Sequence, residues 1–330
     1  MMRIMGRSRS LLAALAACLL LVGCGSGPRQ VGSAVIFSDR EVTVDQVQDL
    51  LDEAVREHPA AQQLSQQHKL DLLGREIVRQ LVVHDVLTRA AQREGLAVDP
   101  RLLDQFLAAD PLADPVDTAG ADPSQLAQQI ANRVRDHREV ITDSLLLQAL
   151  GQKYLDRMSV TFDYTSVSSD IGGDQPLDRR ERAIAKAEEM AQSPTAAAEV
   201  IRADAAAGER TSTGEVVPAA QAPDLATLVL FGVRPGTVVA FQPSQEQAVW
   251  IVAIVRERNL NAPSSGEQVT QPSAAQLAAI GQRLLQPYVE EAGVRINPRY
   301  GVWDPVAMNL APSSAETTGA VVPVKGAAQP

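Results

Sequence analysis

Residues 158–167, MSVTFDYTSV, mark the point at which the chain changes period. Upstream, apolar residues recur at steps of three and four. From Val160 through Phe162 and Tyr164 to Val167 they alternate roughly as on a strand. A strand begins here, and the region before it reads mainly as helix.

Working back from this point, Asp122 and Pro123 form a helix start, with a cap and then a proline in the first turn. Leu126, Ile130, Val134, Ile141, Leu145 and Leu150 predict one helix from there to about Asp156. Asp99 and Pro100 repeat the signal and open a short helix through Phe106, followed by a loop over 110–120 with Pro111 and Pro115. Leu70, Leu73, Ile77, Leu81, His84 and Leu87 predict a longer helix from about Ser65 to Glu94, with Gly95 as its left-handed stop. Thr43 and Gln46 form a capping box before Val44, Val47, Leu51 and Val55, which predicts a helix over 43–57. Val35, Ile36 and Phe37 form a short strand ahead of it.

Working forward, Arg179–Gln192 and Ser193–Ala207 return to helix, and 211–223 is turn-rich. Leu225–Phe231 is a short apolar segment, Val233–Gly236 a turn, and 238–241 and 248–255 two antiparallel strands. This order is that of a small α+β domain. Helix resumes over 273–291 with Leu277, Ile280, Leu284 and Leu285, and Val294 and Ile296 add a strand. Helix on both sides of the α+β unit implies a fold that is mainly α with an inserted α+β domain. Residues 34–158 and 273–306 would form the helical body, 159–258 the insert, 259–272 a polar linker and 307–330 a disordered tail.

The N-terminus gives an address. Arg3, Arg7 and Arg9 precede an apolar run from Leu11 to Leu21 and then Val22, Gly23 and Cys24. A basic start, a short apolar stretch and small residues at the cut make a secretory signal, too short to span a bilayer comfortably. The pattern resembles a lipobox. It implies a signal peptide over 1–23, diacylation of Cys24 and a tether over 24–33, hence an extracytoplasmic protein lipid-anchored to a bacterial cell membrane. The other cysteine, Cys18, would be removed, leaving no thiol for redox chemistry or thiolate metal sites.

Composition narrows the partners. The 330 residues carry a formal charge of -10, which opposes a nucleic-acid partner because phosphate binding needs a basic face. No glycine-rich phosphate loop with a following lysine is present, so nucleotide binding is not expected. Aromatics make up 3% of the chain, so the core must rest on Leu, Val, Ile and Ala. No cofactor is expected.

The order of elements resembles the SurA and PrsA group of secreted chaperone foldases. In that group an N-terminal helical region and a returning C-terminal helix and strand build one chaperone domain around a parvulin-type prolyl isomerase domain. The resemblance lies in 34–37 with 44–55 as entry strand and first helix, and in 294–303, VRINPRYGVW, as the returning strand. Within the insert, 182–190, RAIAKAEEM, resembles the first parvulin helix, and 230–236, LFGVRPG, the glycine turn before the next strand. Thr213, Gly214 and Glu215 stand near the family's glycine pair, and Trp250–Val255 resembles the closing strand.

The resemblance implies a histidine pair in the first and last strands of the insert. Here those runs read FDYTSVSSD and QAVWIVAIV. The histidines of the chain are His58, His68, His84 and His137, all in the helical half. Lowering an amide rotation barrier of about 18–20 kcal/mol depends on positioned dipoles around the twisted bond, so isomerase activity is not expected.

The remaining candidates have plain readings. His84, among Val82, Val83 and Val86, lacks partners at metal spacing, and His58 and His68 read as solvent-facing. Glu188 and Glu189 beside Lys186 read as a solvated helix face. Asp170 and Asp174 around Gly172 and Gly173 lack the ligand spacing of a calcium loop. Trp250 reads as core, and Trp303 as either core or contact residue. The functional expectation is a membrane-anchored, ATP-independent chaperone that binds unfolded or newly exported polypeptides, with Val47, Leu51, Leu73, Ile77 and Trp303 as candidate peptide contacts. The alternative is an assembly lipoprotein with a single envelope partner.

Overall fold

The computed structural model describes residues 32–116, 118, 120–168, 176–244, 249–263 and 271–326. The signal segment, Cys24, residues 24–31 of the tether, the 170–174 loop and residues 264–270 of the linker expected over 259–272 lie outside the described residues. In chain order the elements are β1 (Ser33–Ile36), β2 (Glu41–Thr43), α1 (Val44–Glu57), α2 (Pro59–Gln66), α3 (Leu70–Glu94), α4 (Pro100–Ala109), α5 (Pro123–Val134), α6 (His137–Leu155), β3 (Ser159–Val167), α7 (Pro176–Met190) and α8 (Ala196–Ala207). They continue with β4 (Thr211–Pro218), β5 (Thr237–Phe241), β6 (Trp250–Asn259), α9 (Ala274–Leu284), α10 (Gln286–Ala292), β7 (Arg295–Ile296), β8 (Val302–Asp304), β9 (Asn309–Ala311) and β10 (Gly319–Pro323). The described residues thus combine helices with small antiparallel sheets.

The first strand meets a strand from the C-terminal region. β1 pairs with β2 and also with β7, Val35 lying opposite Ile296 and Ile36 opposite Arg295. Asn297 extends the seam by donating from its side chain to the Ser33 carbonyl at 2.8 Å. The Thr43 hydroxyl accepts from the Gln46 N–H at 3.1 Å and the Gln46 side chain accepts from the Thr43 N–H at 2.9 Å, as the capping box predicts.

α9 is locked into the N-terminal bundle by two glycines. A Cβ at Gly151 of α6 would fall 2.0 Å from the Leu277 carbonyl oxygen, and one at Gly281 of α9 would fall 2.0 Å from that of Leu147. The two backbones touch where no side chain intervenes, so each helix needs its glycine for the other.

β10, β5, β6, β3 and β4 form one antiparallel sheet in that order. Its two faces follow the strand period. Val238, Ala240, Val252 and Ile254 pack against Ala183, Ala187, Met190 and Ile201 of α7 and α8. Val239, Phe241, Ala253 and Val255 join the core that also holds Val47, Ile77 and Leu150. The insert is therefore fused to the helical body through a shared core, with Leu230 and Phe231 between them.

Several expectations are corrected. The segment 307–330 is not a disordered tail over its described part, because β9 pairs with β8 and β10 adds five residue pairs to β5. Its small residues are what the close approach demands, since a Cβ at Gly319 would meet the Ala240 carbonyl oxygen at 2.0 Å. The helix expected over 65–94 begins at Leu70, after His68 takes a positive φ of 56°. The helix expected over 122–156 breaks at Arg135, whose backbone is extended, and Asp136 caps α6 by accepting from the Glu139 N–H. The turn-rich stretch after 211 begins as β4, and 225–231 forms two 3-10 turns.

Candidate functional site

The break at Arg135 borders a concavity of the helical body. α3, α4, α5, α6 and α9 enclose a cavity of about 390 Å³, with Val83, Phe106, Leu112, Val140 and Ile141 on its walls. A second cavity of about 400 Å³ adjoins it and runs toward Leu72, Met308 and Pro312. The two share Arg79, Gln128 and Gln282, so together they form one elongated groove.

One side of the groove is unusually bare. α4 is amphipathic yet buries none of its residues, and Leu102 and Phe106 are 40% and 41% exposed. The helix begins at Pro100, precedes a loop with Pro111 and Pro115, and is held at its end by Asp110, whose carboxylate meets His137 Nδ1 at 2.8 Å. An exposed Phe on a lightly packed helix is expensive to leave in water, about 1.5–3 kcal/mol per large apolar side chain, unless something covers it.

The groove's polar lining is a chain of side chains. Glu76 accepts from Arg79 at 2.8 and 2.6 Å and from Gln80 at 3.0 Å. Arg135 donates to Gln80 at 3.4 Å and to Asp143 at 2.9 Å, and Asp143 meets His84 Nδ1 at 2.8 Å. The hydrogen bond to Asp143 holds the His84 imidazole above its ordinary pKa, against the opposing effect of burial. Arg135 is 7% exposed, and among the described residues its Nε has no hydrogen-bond partner. A buried donor without a partner costs about 1–3 kcal/mol.

Carboxamides complete the lining. Gln80, Gln128, Asn132, Gln148 and Gln282 all border the first cavity. Each offers both a donor and an acceptor, the complement of a peptide unit in any sequence. Arg75, Arg79 and Arg135 stand with Glu76 and Asp143 along the groove, so both signs of charge are present.

The peptide contacts expected from sequence lie elsewhere. Val47, Leu73 and Ile77 are 0% exposed. They are core side chains with no surface to offer a guest, and the assignment is corrected for these three: the stripe that periodicity reveals is the one a helix buries. Leu51 is half-buried and packs with Tyr300 over Gly74, and Trp303 is half-buried opposite Leu310. Neither lines the groove. The groove residues Phe106, Leu112, Val140, Arg79 and Arg135 were missed; the one available signal was a ten-residue amphipathic helix followed by a loop with two prolines.

In the insert, the runs where the resemblance would place imidazoles pair with each other. Val167 stands opposite Trp250, Ser166 opposite Ile251 and Thr165 opposite Val252. Thr165 donates to Asp204 at 2.6 Å, and Lys186 pairs with the same carboxylate.

No family model matches the chain, and no curated protein matches it. Among solved structures, the chain is similar to the crystal structure of the foldase protein PrsA from Lactococcus lactis, at 12% identity over 80% of this chain and 94% of that one, with a TM-score of 0.22. That degree of likeness carries nothing over to this chain, and the functional reading rests on its own residues.

Proposed function

We propose that this protein is a membrane-anchored, ATP-independent extracytoplasmic chaperone that holds extended segments of unfolded or newly exported polypeptides in the groove beside α4. The observation that carries the reading is the groove's lining: apolar walls interleaved with carboxamides. Apolar burial at about 25 cal/mol per Å² is non-directional, and amide-to-amide hydrogen bonding is indifferent to sequence. The two together suit a guest whose sequence is not fixed. The elongated form suits a chain rather than a compact ligand. Anchoring through Cys24 would keep the groove where exported chains emerge.

The test is suppression of aggregation of several unrelated denatured proteins by the chain beginning at Gly25. Wild type is expected to suppress all of them at near-stoichiometric ratios, and Phe106→Asp to lose most of that activity without losing helical signal. Failure on every client, with tight capture of one envelope protein, would instead favour a dedicated assembly lipoprotein. A tetrapeptide prolyl isomerase assay is expected to show no acceleration.

A further inference from the structure

A third cavity, of about 270 Å³, lies at the end of the five-stranded sheet and shares no wall residue with the groove. Phe241, Trp250, Leu228 and Val229 make its apolar side, and Arg180 and Arg283 supply the charge. Among the described residues no carboxylate lines it.

The two arginines differ in how they are held. Arg283 is 6% exposed and donates only to neutral oxygens: the carbonyls of Thr227, Pro305 and Val306, and the side chain of Gln286. Asp304 is the acid that acts on it electrostatically. Both Asp304 oxygens are already engaged, by the N–H groups of Val306, Ala307 and Thr318 and by the Thr318 hydroxyl. Burial lowers the Arg283 pKa to about 10, leaving it cationic at neutral pH. Buried charges are ordinarily paired with an opposite one; this one is solvated by dipoles and keeps its field for the cavity. Arg180, half-buried at the mouth, is aimed by the strap ahead of β10: its Nε donates to the Thr317 carbonyl at 3.0 Å and one Nη to the Thr317 hydroxyl at 2.9 Å.

We propose that this cavity binds the carboxylate of a single apolar residue, with the two guanidinium groups facing the anion and Trp250 and Phe241 enclosing the side chain. Guanidinium N–H groups make strong charge-assisted hydrogen bonds to carboxylates, and the Nη–H groups not held by Thr317 or by the partners of Arg283 are left to meet one. The volume is below that of drug-sized sites, about 300–1,000 Å³, and fits one residue. The same chemistry is offered by a free N-acylated amino acid and by the C-terminus of a polypeptide.

Titration calorimetry on the chain beginning at Gly25 tests it, with N-acetyl-L-phenylalanine, its primary amide, and a pentapeptide ending in phenylalanine in free-acid and amidated forms. The free acids are expected to bind at least 10-fold more tightly than the amides. Arg180→Gln is expected to weaken the acids at least 10-fold, with Arg180→Lys intermediate. Thr317→Val, which removes the hydroxyl's contacts with Arg180, Ser314 and Gly319 but no charge, is expected to weaken the acids less than Arg180→Gln does, separating loss of charge from loosening of the strap. Binding of both acids assigns the site to chain ends, and binding of the small acid alone assigns it to free ligands. Equal affinity for acid and amide, indifference to Arg180→Gln in a folded variant, or no binding of any probe at millimolar concentration overturns the proposal.

Discussion

Replacing Glu94 with glutamine is expected to loosen the joint between three helices in a way that depends on pH. Glu94 is the last residue of α3. Its carboxylate accepts from Lys153 Nζ at 2.7 Å and Tyr154 at 2.6 Å, both on α6, and from Tyr288 of α10 at 2.7 Å. Burial works against its ionisation, but the three donors and the charge of Lys153 outweigh it and bring the pKa down to about 2 from the usual 4.5. Because the folded state holds the proton less tightly than the unfolded one, this contribution is fully present above about pH 4.5. It is lost as the pH falls from there toward 2. A shift of that size corresponds to at most about 3 kcal/mol at 1.36 kcal/mol per unit, and solvent screening at this partly open site reduces it to about 2 kcal/mol. Urea unfolding followed by circular dichroism should place Glu94→Gln about 2 kcal/mol below wild type at pH 7, with the gap narrowing steadily below pH 4. A gap unchanged between pH 7 and pH 3, or no gap at pH 7, refutes the reasoning.

Three further outcomes follow from the same geometry. Gly281→Ala forces a methyl onto the Leu147 carbonyl oxygen, so α6 and α9 must part; overpacking of this kind should cost about 3 kcal/mol in denaturant titration. Asp143→Asn leaves Arg135 buried with only the longer ion pair to Glu139 at 3.7 Å, and a loss of about 2 kcal/mol is expected, less than for a wholly unpaired buried charge. In that variant an NMR titration should show His84 titrating at lower pH than in wild type. In wild type the stabilisation from the His84–Asp143 pair is fully present below pH 6.5 and is lost as the pH rises through the elevated folded value. Truncation after Pro312 removes β10 and bares the β5 edge, so the shortened chain should oligomerise in light scattering where wild type does not.

The sequence disclosed the elements that local chemistry determines. Thr43 with Gln46, Asp99 with Pro100 and Gly95 each specify a helix end through atoms within a few residues, and each cap stands where its spacing implies. Gly151 and Gly281 also stood in plain sight, but a glycine in a helix reads as a mild penalty until its partner helix is known, and the partner is some 130 positions away. β10 was hidden for a related reason: an edge strand pairs on one side only, so its sequence need not alternate strongly, and small residues that suggest disorder are what close contact with β5 requires.

The site was hidden more deeply than the fold. Periodicity finds residues that a helix turns inward, which is why Val47, Leu73 and Ile77 stood out and why they proved wholly enclosed. The groove proposed to hold a guest is built from what remains after the core is satisfied: Phe106 on a helix that buries nothing, carboxamides from four helices, and an arginine at a helix break whose Nε has no partner among the described residues. None of these has a period. The groove exists because α5 and α6 are two helices rather than one. Its key residue is therefore the one at which the helical pattern, read along the chain, showed no interruption.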